Sequence, residues 1–196
     1  MIATVFLSLL PLLALGSSST GPHRFHSRQS SASKIQPIPQ DGQGESNLCV
    51  TVMGGQAVVG AKINIATCFE HSDQEGNDKT YLQDFACSED NTGGLLNIAL
   101  QSAPHLCIDR GSDDSPEGSG LELQECINPP VPAQLWNYQN QQIISHIGDI
   151  DRCLDVQEDS GRYLKEGEPY ASEKFLQTWT CVEGNTNQMW KLTPAQ

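Results

Sequence analysis

Long apolar stretches are nearly missing from this chain. Beyond residue 16 no run approaches the length of a membrane span, and no segment repeats its apolar residues at the 3.6-residue period of a core-facing helix. A helical bundle and membrane insertion are therefore not expected. Positive charge is also scarce. Residues 1–32 hold Arg24, Arg28 and no acid, so the remainder sets nine of the 11 basic residues against all 24 acidic ones. Such a surface repels phosphate backbones, which argues against nucleic-acid binding, and the plain reading of the acidity is solubility outside the cell. No two of the seven cysteines stand at the C-x-x-C spacing that zinc sites favour. Gly-x-Ser-x-Gly, a metal-ligand cluster and a convincing Cys–His arrangement are absent too, so neither catalysis, a metal nor a cofactor is expected. With no Asn-x-Ser/Thr sequon, N-glycosylation is not expected either.

What is present begins with one apolar run, Ile2 to Leu15, interrupted only by Thr4, Ser8 and Pro11. It is too short for a transmembrane helix and fits a cleavable secretory signal over residues 1–16, although no Lys or Arg precedes it. Residues 17–32 are Ser-rich and poor in apolar side chains, as a flexible leader would be; His23 and His26 lie there and read as solvated. Export makes the cysteines disulfide material rather than metal thiolates.

From Lys34 onward, short runs such as Cys49-Val50-Thr51-Val52, Leu95 to Leu100, Gln142-Ile143-Ile144 and Cys153-Leu154-Asp155-Val156 are bounded by Gly, Asn, Asp and Pro. That pattern predicts many short strands joined by turns, with Gly148-Asp149 at a tight hairpin. The landmarks also recur three times. Cys49 and Cys68, and Cys107 and Cys126, are each 19 residues apart, and Cys153 and Cys181 are 28 apart. The first cysteine of each pair opens a similar tetrad: Cys-Val-Thr-Val, Cys-Ile-Asp-Arg and Cys-Leu-Asp-Val. After the second come Gln83-Asp84-Phe85, Gln134-Leu135-Trp136 and Gln188-Met189-Trp190, with Cys87, Tyr138 and Leu192 two residues beyond each aromatic. Three modules too small to bury an apolar face singly can do so together.

With its three Gln-x-aromatic triplets in register with paired cysteines, the chain resembles the ricin B-type lectins over residues 33–196. The resemblance implies an all-β fold, a β-trefoil of three repeats (about 33–91, 92–140 and 141–196) around a pseudo-threefold axis. Its twelve strands would form a closed barrel with a cap of hairpins, and Phe85, Trp136 and Trp190 would share the core. It further implies within-repeat bridges Cys49–Cys68, Cys107–Cys126 and Cys153–Cys181, each adding on the order of 3 kcal/mol, though spacing alone does not fix connectivity. Cys87 is left over, as a small buried hydrophobe or, less simply, an intermolecular thiol.

A sugar site needs a flat aromatic for the C–H face of a pyranose, a carboxylate for two hydroxyl protons, and amides for the rest. By the same resemblance these roles fall in the third repeat to Asp155, Trp179 and Asn187, with Gln177 and Gln188 orienting or supporting the contact. Family precedent then favours galactose or N-acetylgalactosamine. The second repeat keeps Asp109 and Gln134 but has Glu122, Gln124 and Ala133 where the Gln, the aromatic and the Asn belong, so its site is expected to be degenerate. In the first repeat Thr51, Asn64 and Ala66 replace the key groups, and no site is expected.

Two insertions depart from the frame. The loop from Val156 to Phe175 carries Asp159, Arg162, Tyr163, Lys165, Glu168 and Tyr170 beside the expected pocket, where it would widen recognition or cover the site. The loop from Phe69 to Leu82 holds His71, Asp73, Glu75 and Asp78, and reads as a solvated acidic loop rather than a calcium site, lacking the ordered spacing of an EF-hand. The leading expectation is a secreted carbohydrate-binding protein with glycan partners, whose single shallow site would gain avidity from oligomers or dense glycans. The alternative is a trefoil that binds proteins, such as a protease inhibitor, through its long loops.

Overall fold

The computed structural model describes residues 32–39, 47–74, 77–87, 97–147, 150–158, 160, 162–163 and 172–195. Outside them lie the expected signal, all but the last residue of the expected leader, the Gly148-Asp149 turn, Leu95, Glu75, and Asp159, Lys165, Glu168 and Tyr170 of the long loop.

The described chain is all-β, punctuated by short 3-10 turns. The first repeat contributes β1 (Ala32–Pro37), β2 (Leu48–Val52), β3 (Lys62–Thr67) and β4 (Phe85–Ala86). The second contributes β5 (Ala99–Leu100), β6 (Ala103–Asp109), β7 (Leu121–Glu125) and β8 (Asn137–Gln139). The third runs through β9 (Gln142–Ile147), β10 (Ile150–Val156), β11 (Arg162–Tyr163), β12 (Ser172–Thr180) and β13 (Trp190–Pro194). Four strands per repeat, plus β11, give thirteen rather than twelve. The extra strand belongs to the long insertion: β11 pairs with the start of β12, which extends that strand beyond its counterparts β3 and β7. Ala32, the last residue of the expected leader, already belongs to β1, which pairs antiparallel with β13 and brings the two described ends of the fold together.

Each central hairpin has the same register. Cys49 faces Ala66 and Thr51 faces Asn64; Cys107 faces Gln124 and Asp109 faces Glu122; Cys153 faces Trp179 and Asp155 faces Gln177. All three within-repeat disulfides are formed. The strands alternate apolar residues inward to one core of Ile35, Val50, Ile63, Leu100, Leu121, Leu154 and their neighbours. Phe85, Trp136 and Trp190 are buried in it. Burying an indole requires a partner for its N–H. Trp136 Nε1 donates to the carbonyl of Ile108 at 3.1 Å and Trp190 Nε1 to that of Leu154 at 3.0 Å, the residue after the first cysteine in both repeats. Phe85 has no such donor. Cys87, outside the three disulfides, is a buried thiol beside Tyr138 and Leu192, lining a small apolar gap with Ile35, Ile98 and Trp136.

The triplet glutamines do a separate job. Their side chains bracket the second cysteine of each repeat. Gln83 accepts from Phe69 N (2.6 Å) and donates to Thr67 O (3.0 Å). Gln134 accepts from Ile127 N (2.9 Å) and donates to Glu125 O (2.9 Å). Gln188 accepts from Val182 N (2.9 Å) and donates to Thr180 O (3.0 Å). One fully buried amide thus satisfies a donor and an acceptor where the chain leaves the sheet, a place where an unmet group would cost roughly 1–3 kcal/mol.

Candidate sugar-binding site

The third hairpin sets the site. On β10, Asp155 is held at 4% exposure, and the antiparallel register places Gln177 of β12 directly opposite. Gln177 Nε2 donates to Asp155 Oδ1 at 2.8 Å. Two residues further along β12, and so on the same face, stands Trp179, 39% exposed, where Trp136 and Trp190 are buried. The Cys153–Cys181 bridge pins the strand ends beside it.

The opposite wall comes from the 3-10 turn Thr186–Gln188. Asn185 caps that turn, accepting from Asn187 N at 3.0 Å, while its Nδ2 points at Asp155 Oδ2 from 3.5 Å. Together Asp155, Gln157, Glu158, Gln177, Trp179, Asn185 and Asn187 line an open pocket of about 380 Å³. Asp155, Gln177, Trp179 and Asn187, predicted from the sequence, therefore share one cavity. Gln188 is not among its lining residues; it lies fully buried in the bracket described above and supports the pocket from behind. Burial pushes the Asp155 carboxyl above its ordinary range, hydrogen bonds from Gln177 and Gln188 pull the other way, and the charge of Glu158 adds to the rise.

Sequence reasoning missed Asn185, Gln157 and Glu158 as pocket residues. For Asn185 a signal existed: an Asn three residues before the triplet Gln is a natural cap for a short turn. It also missed a contribution from the second repeat. The loop between β6 and β7 crosses onto β12, where Gly118 N donates to Thr178 O (3.0 Å) and Thr178 N to Ser119 O (2.9 Å). Glu117 accepts from Arg152 and from the Thr180 hydroxyl. A methyl group at Gly118 would lie 3.6 Å from the Trp179 ring and 3.5 Å from Gln177 Oε1, and φ there is +82°. Gly118→Ala is expected to cost about 1–2 kcal/mol in urea unfolding, since a left-handed backbone strains any L side chain. The same substitution should shift Trp179 emission, whereas Gly184→Ala (φ +74°, open space) should leave the emission unchanged.

The equivalent positions elsewhere are spent on structure. In the second repeat Asp109 accepts from Gly111 N (2.7 Å) with one oxygen and from Gln134 Nε2 (3.1 Å) with the other. Glu122 is paired with Lys62 (2.8 Å) and accepts from Gln124 (2.6 Å); these contacts hold its carboxyl below the usual range. No aromatic stands where Trp179 does. In the first repeat the buried Thr51 hydroxyl donates to Cys49 O (2.7 Å) and accepts from Gln83 (2.9 Å). Asn64 accepts from Leu176 N (3.2 Å), and Ala66 is buried. In the acidic insertion, Asp78 accepts from Thr80 N and Oγ1 and meets His71 at 2.7 Å.

A threefold β-sheet protein with a polar, Trp-walled pocket on one hairpin defines a class, the β-trefoil with a candidate lectin site. The family model for the ricin-type β-trefoil lectin domain matches residues 41–190, and the chain belongs to that family. Among solved structures it is similar to the C-half of an earthworm R-type lectin in complex with GalNAc, at TM-score 0.55 and 17% identity, covering 84% of this chain and 99% of that one. It is similar in the same coverage to a designed threefold-symmetric protein, ThreeFoil (TM-score 0.55, 12% identity), and to a mutant C-terminal domain of an earthworm lectin in complex with 6'-sialyllactose (TM-score 0.53, 18% identity). At these identities the likeness establishes the fold. None of the curated protein sequences matches the chain significantly.

Proposed function

We propose that this protein is an exported, non-catalytic lectin with one working site, on the third repeat, for terminal galactose or N-acetylgalactosamine. The observation that carries the reading is the convergence of a carboxylate, an indole and amides on one open pocket: Asp155, Trp179, Asn187 and Gln177. Asp155 would accept two adjacent hydroxyls, Trp179 would stack on the C–H face, and Asn187 would bond a further hydroxyl. Membership in a lectin family and the apolar run at residues 2–15 support binding and export respectively, and three disulfides suit an oxidising compartment. Hydrolysis would need two carboxyls fixed on rigid elements. Asp155 is so held, but Glu158 is exposed past the end of β10.

The test is a galactose titration followed by tryptophan fluorescence across pH. A carboxylate accepts hydroxyl protons only when ionised, so affinity should be full above the Asp155 pKa and lost as pH falls through it. Because burial raises that pKa above 3.8, the loss should begin at higher pH than for a solvated aspartate. Folding has the opposite sign. A carboxyl whose pKa is raised in the folded state binds its proton more tightly there, so this group stabilises the fold as pH falls, and the lost affinity is not unfolding by Asp155. Affinity that stays flat down to the ordinary aspartate range would count against Asp155 as the acceptor.

A further inference from the structure

We infer that the pocket sorts sugars by charge, preferring one that carries a free ammonium group over its neutral counterpart and rejecting one that carries a carboxylate. This rests on the sugar-binding reading above and specifies the ligand class for the same site. Two acids, Asp155 and Glu158, line the pocket, and among the described residues no Lys, Arg or His does. Arg152, on the same strand as Asp155, is already bound to Glu117. An incoming anion would also find few donors. Gln177 turns its amide N–H onto Asp155, Asn185 aims its own at the other oxygen of the same carboxylate, and the Asn187 backbone N–H is taken by Asn185.

A cation would meet the reverse situation. Asp155 is nearly buried without a positive partner, which is the condition under which a charge-assisted contact gains most. The π face of Trp179 attracts ammonium groups, and Glu158 stands on the rim of the same cavity. The formal charge of −13 adds a long-range field of the same sign. The ligand class that satisfies a C–H face, a hydroxyl rim and an ammonium at once is an amino sugar with an unacetylated amine.

The experiment titrates the full-length protein with galactosamine, N-acetylgalactosamine, galactose and galacturonic acid at about pH 6 and low salt, where a primary amine is protonated and a carboxyl ionised. Galactosamine is expected to bind on the order of fivefold more tightly than N-acetylgalactosamine, and galacturonic acid on the order of fivefold more weakly than galactose, as suits single charge pairs at a partly exposed site. Both ratios should shrink toward one in Glu158→Gln and in high salt. Galactosamine binding no better than N-acetylgalactosamine, or ratios unchanged in Glu158→Gln or by salt, would overturn the inference while leaving the sugar site standing. Failure of all four sugars would overturn the sugar reading and this inference with it.

Discussion

Asp155→Ala should reduce galactose affinity at least 100-fold, while Asp109→Ala, the same change in the second repeat, leaves affinity unaltered. Two charge-assisted hydrogen bonds to adjacent sugar hydroxyls contribute about 1.5–3 kcal/mol each, so losing both exceeds the ~2.7 kcal/mol that a hundredfold change represents. The contrast follows from what each carboxylate already does. Both Asp109 oxygens are bonded within their own repeat, to Gly111 N and to Gln134. Asp155 accepts from Gln177 at 2.8 Å, from Asn185 at 3.5 Å and from Gln188, yet it lines an open pocket walled by Trp179, whereas Asp109 has Gln124 in place of that aromatic. Stability should separate the two in the opposite order. Removing Asp109 strands Gly111 N and one proton of the buried Gln134 amide; removing Asp155 eliminates a desolvated charge, and two of its partners, Gln177 and Asn185, border an open cavity. Trp179→Ala should cost roughly tenfold in affinity, for loss of a stacking face, with little effect on unfolding because the ring is well exposed. Calorimetric titration of the three variants measures the affinities, and urea unfolding measures the stabilities. Binding retained in Asp155→Ala but lost in Asp109→Ala would move the site to the second repeat.

The hairpins were legible because their landmarks are chemical. Cysteine pairs and Gln-x-aromatic triplets are rare enough to align by eye, and the register that pairs Asp155 with Gln177 also pairs Asp109 with Glu122 and Thr51 with Asn64. Thus the differences between the repeats at these positions could be read before any geometry. The role of the triplet Gln was less visible. Gln188 looks like a ligand-binding amide in one dimension, yet in three it is a fully buried bracket for the chain on either side of Cys181. The second repeat's part in the third repeat's site was invisible. Glu117 and Gly118 reach Thr180 and Trp179 across some 60 residues of sequence, and nothing local in Pro-Glu-Gly-Ser announces that destination. The thirteenth strand escaped for a different reason. Arg162-Tyr163 has no alternating apolar pattern, and its pairing is set by the length of the insertion and the extension of β12.

Trp190→Ala is expected to destabilise the protein by about 3–5 kcal/mol, the largest effect of any single substitution considered, read as a drop in urea midpoint with disulfides intact. The ring is fully buried, so truncation leaves a cavity in a core to which all three repeats contribute. It also strands the Leu154 carbonyl, which accepts the indole N–H at 3.0 Å and lies between Cys153 and Asp155. The lesion should therefore reach the pocket: Trp190→Ala should weaken galactose binding even where the protein remains folded. Phe85→Ala separates the two contributions, because it opens a cavity at the equivalent place without breaking an indole bond and lies outside the repeat that carries the candidate pocket. Its cost should fall at the lower end of the same range, with galactose affinity unchanged. Trp190→Phe should then fall between wild type and Trp190→Ala, keeping most of the volume and losing the N–H. If Trp190→Ala unfolds within about 1 kcal/mol of wild type, the shared core does not hold the three repeats together, and the pocket must owe its shape to the Cys153–Cys181 bridge and the Gln188 bracket alone.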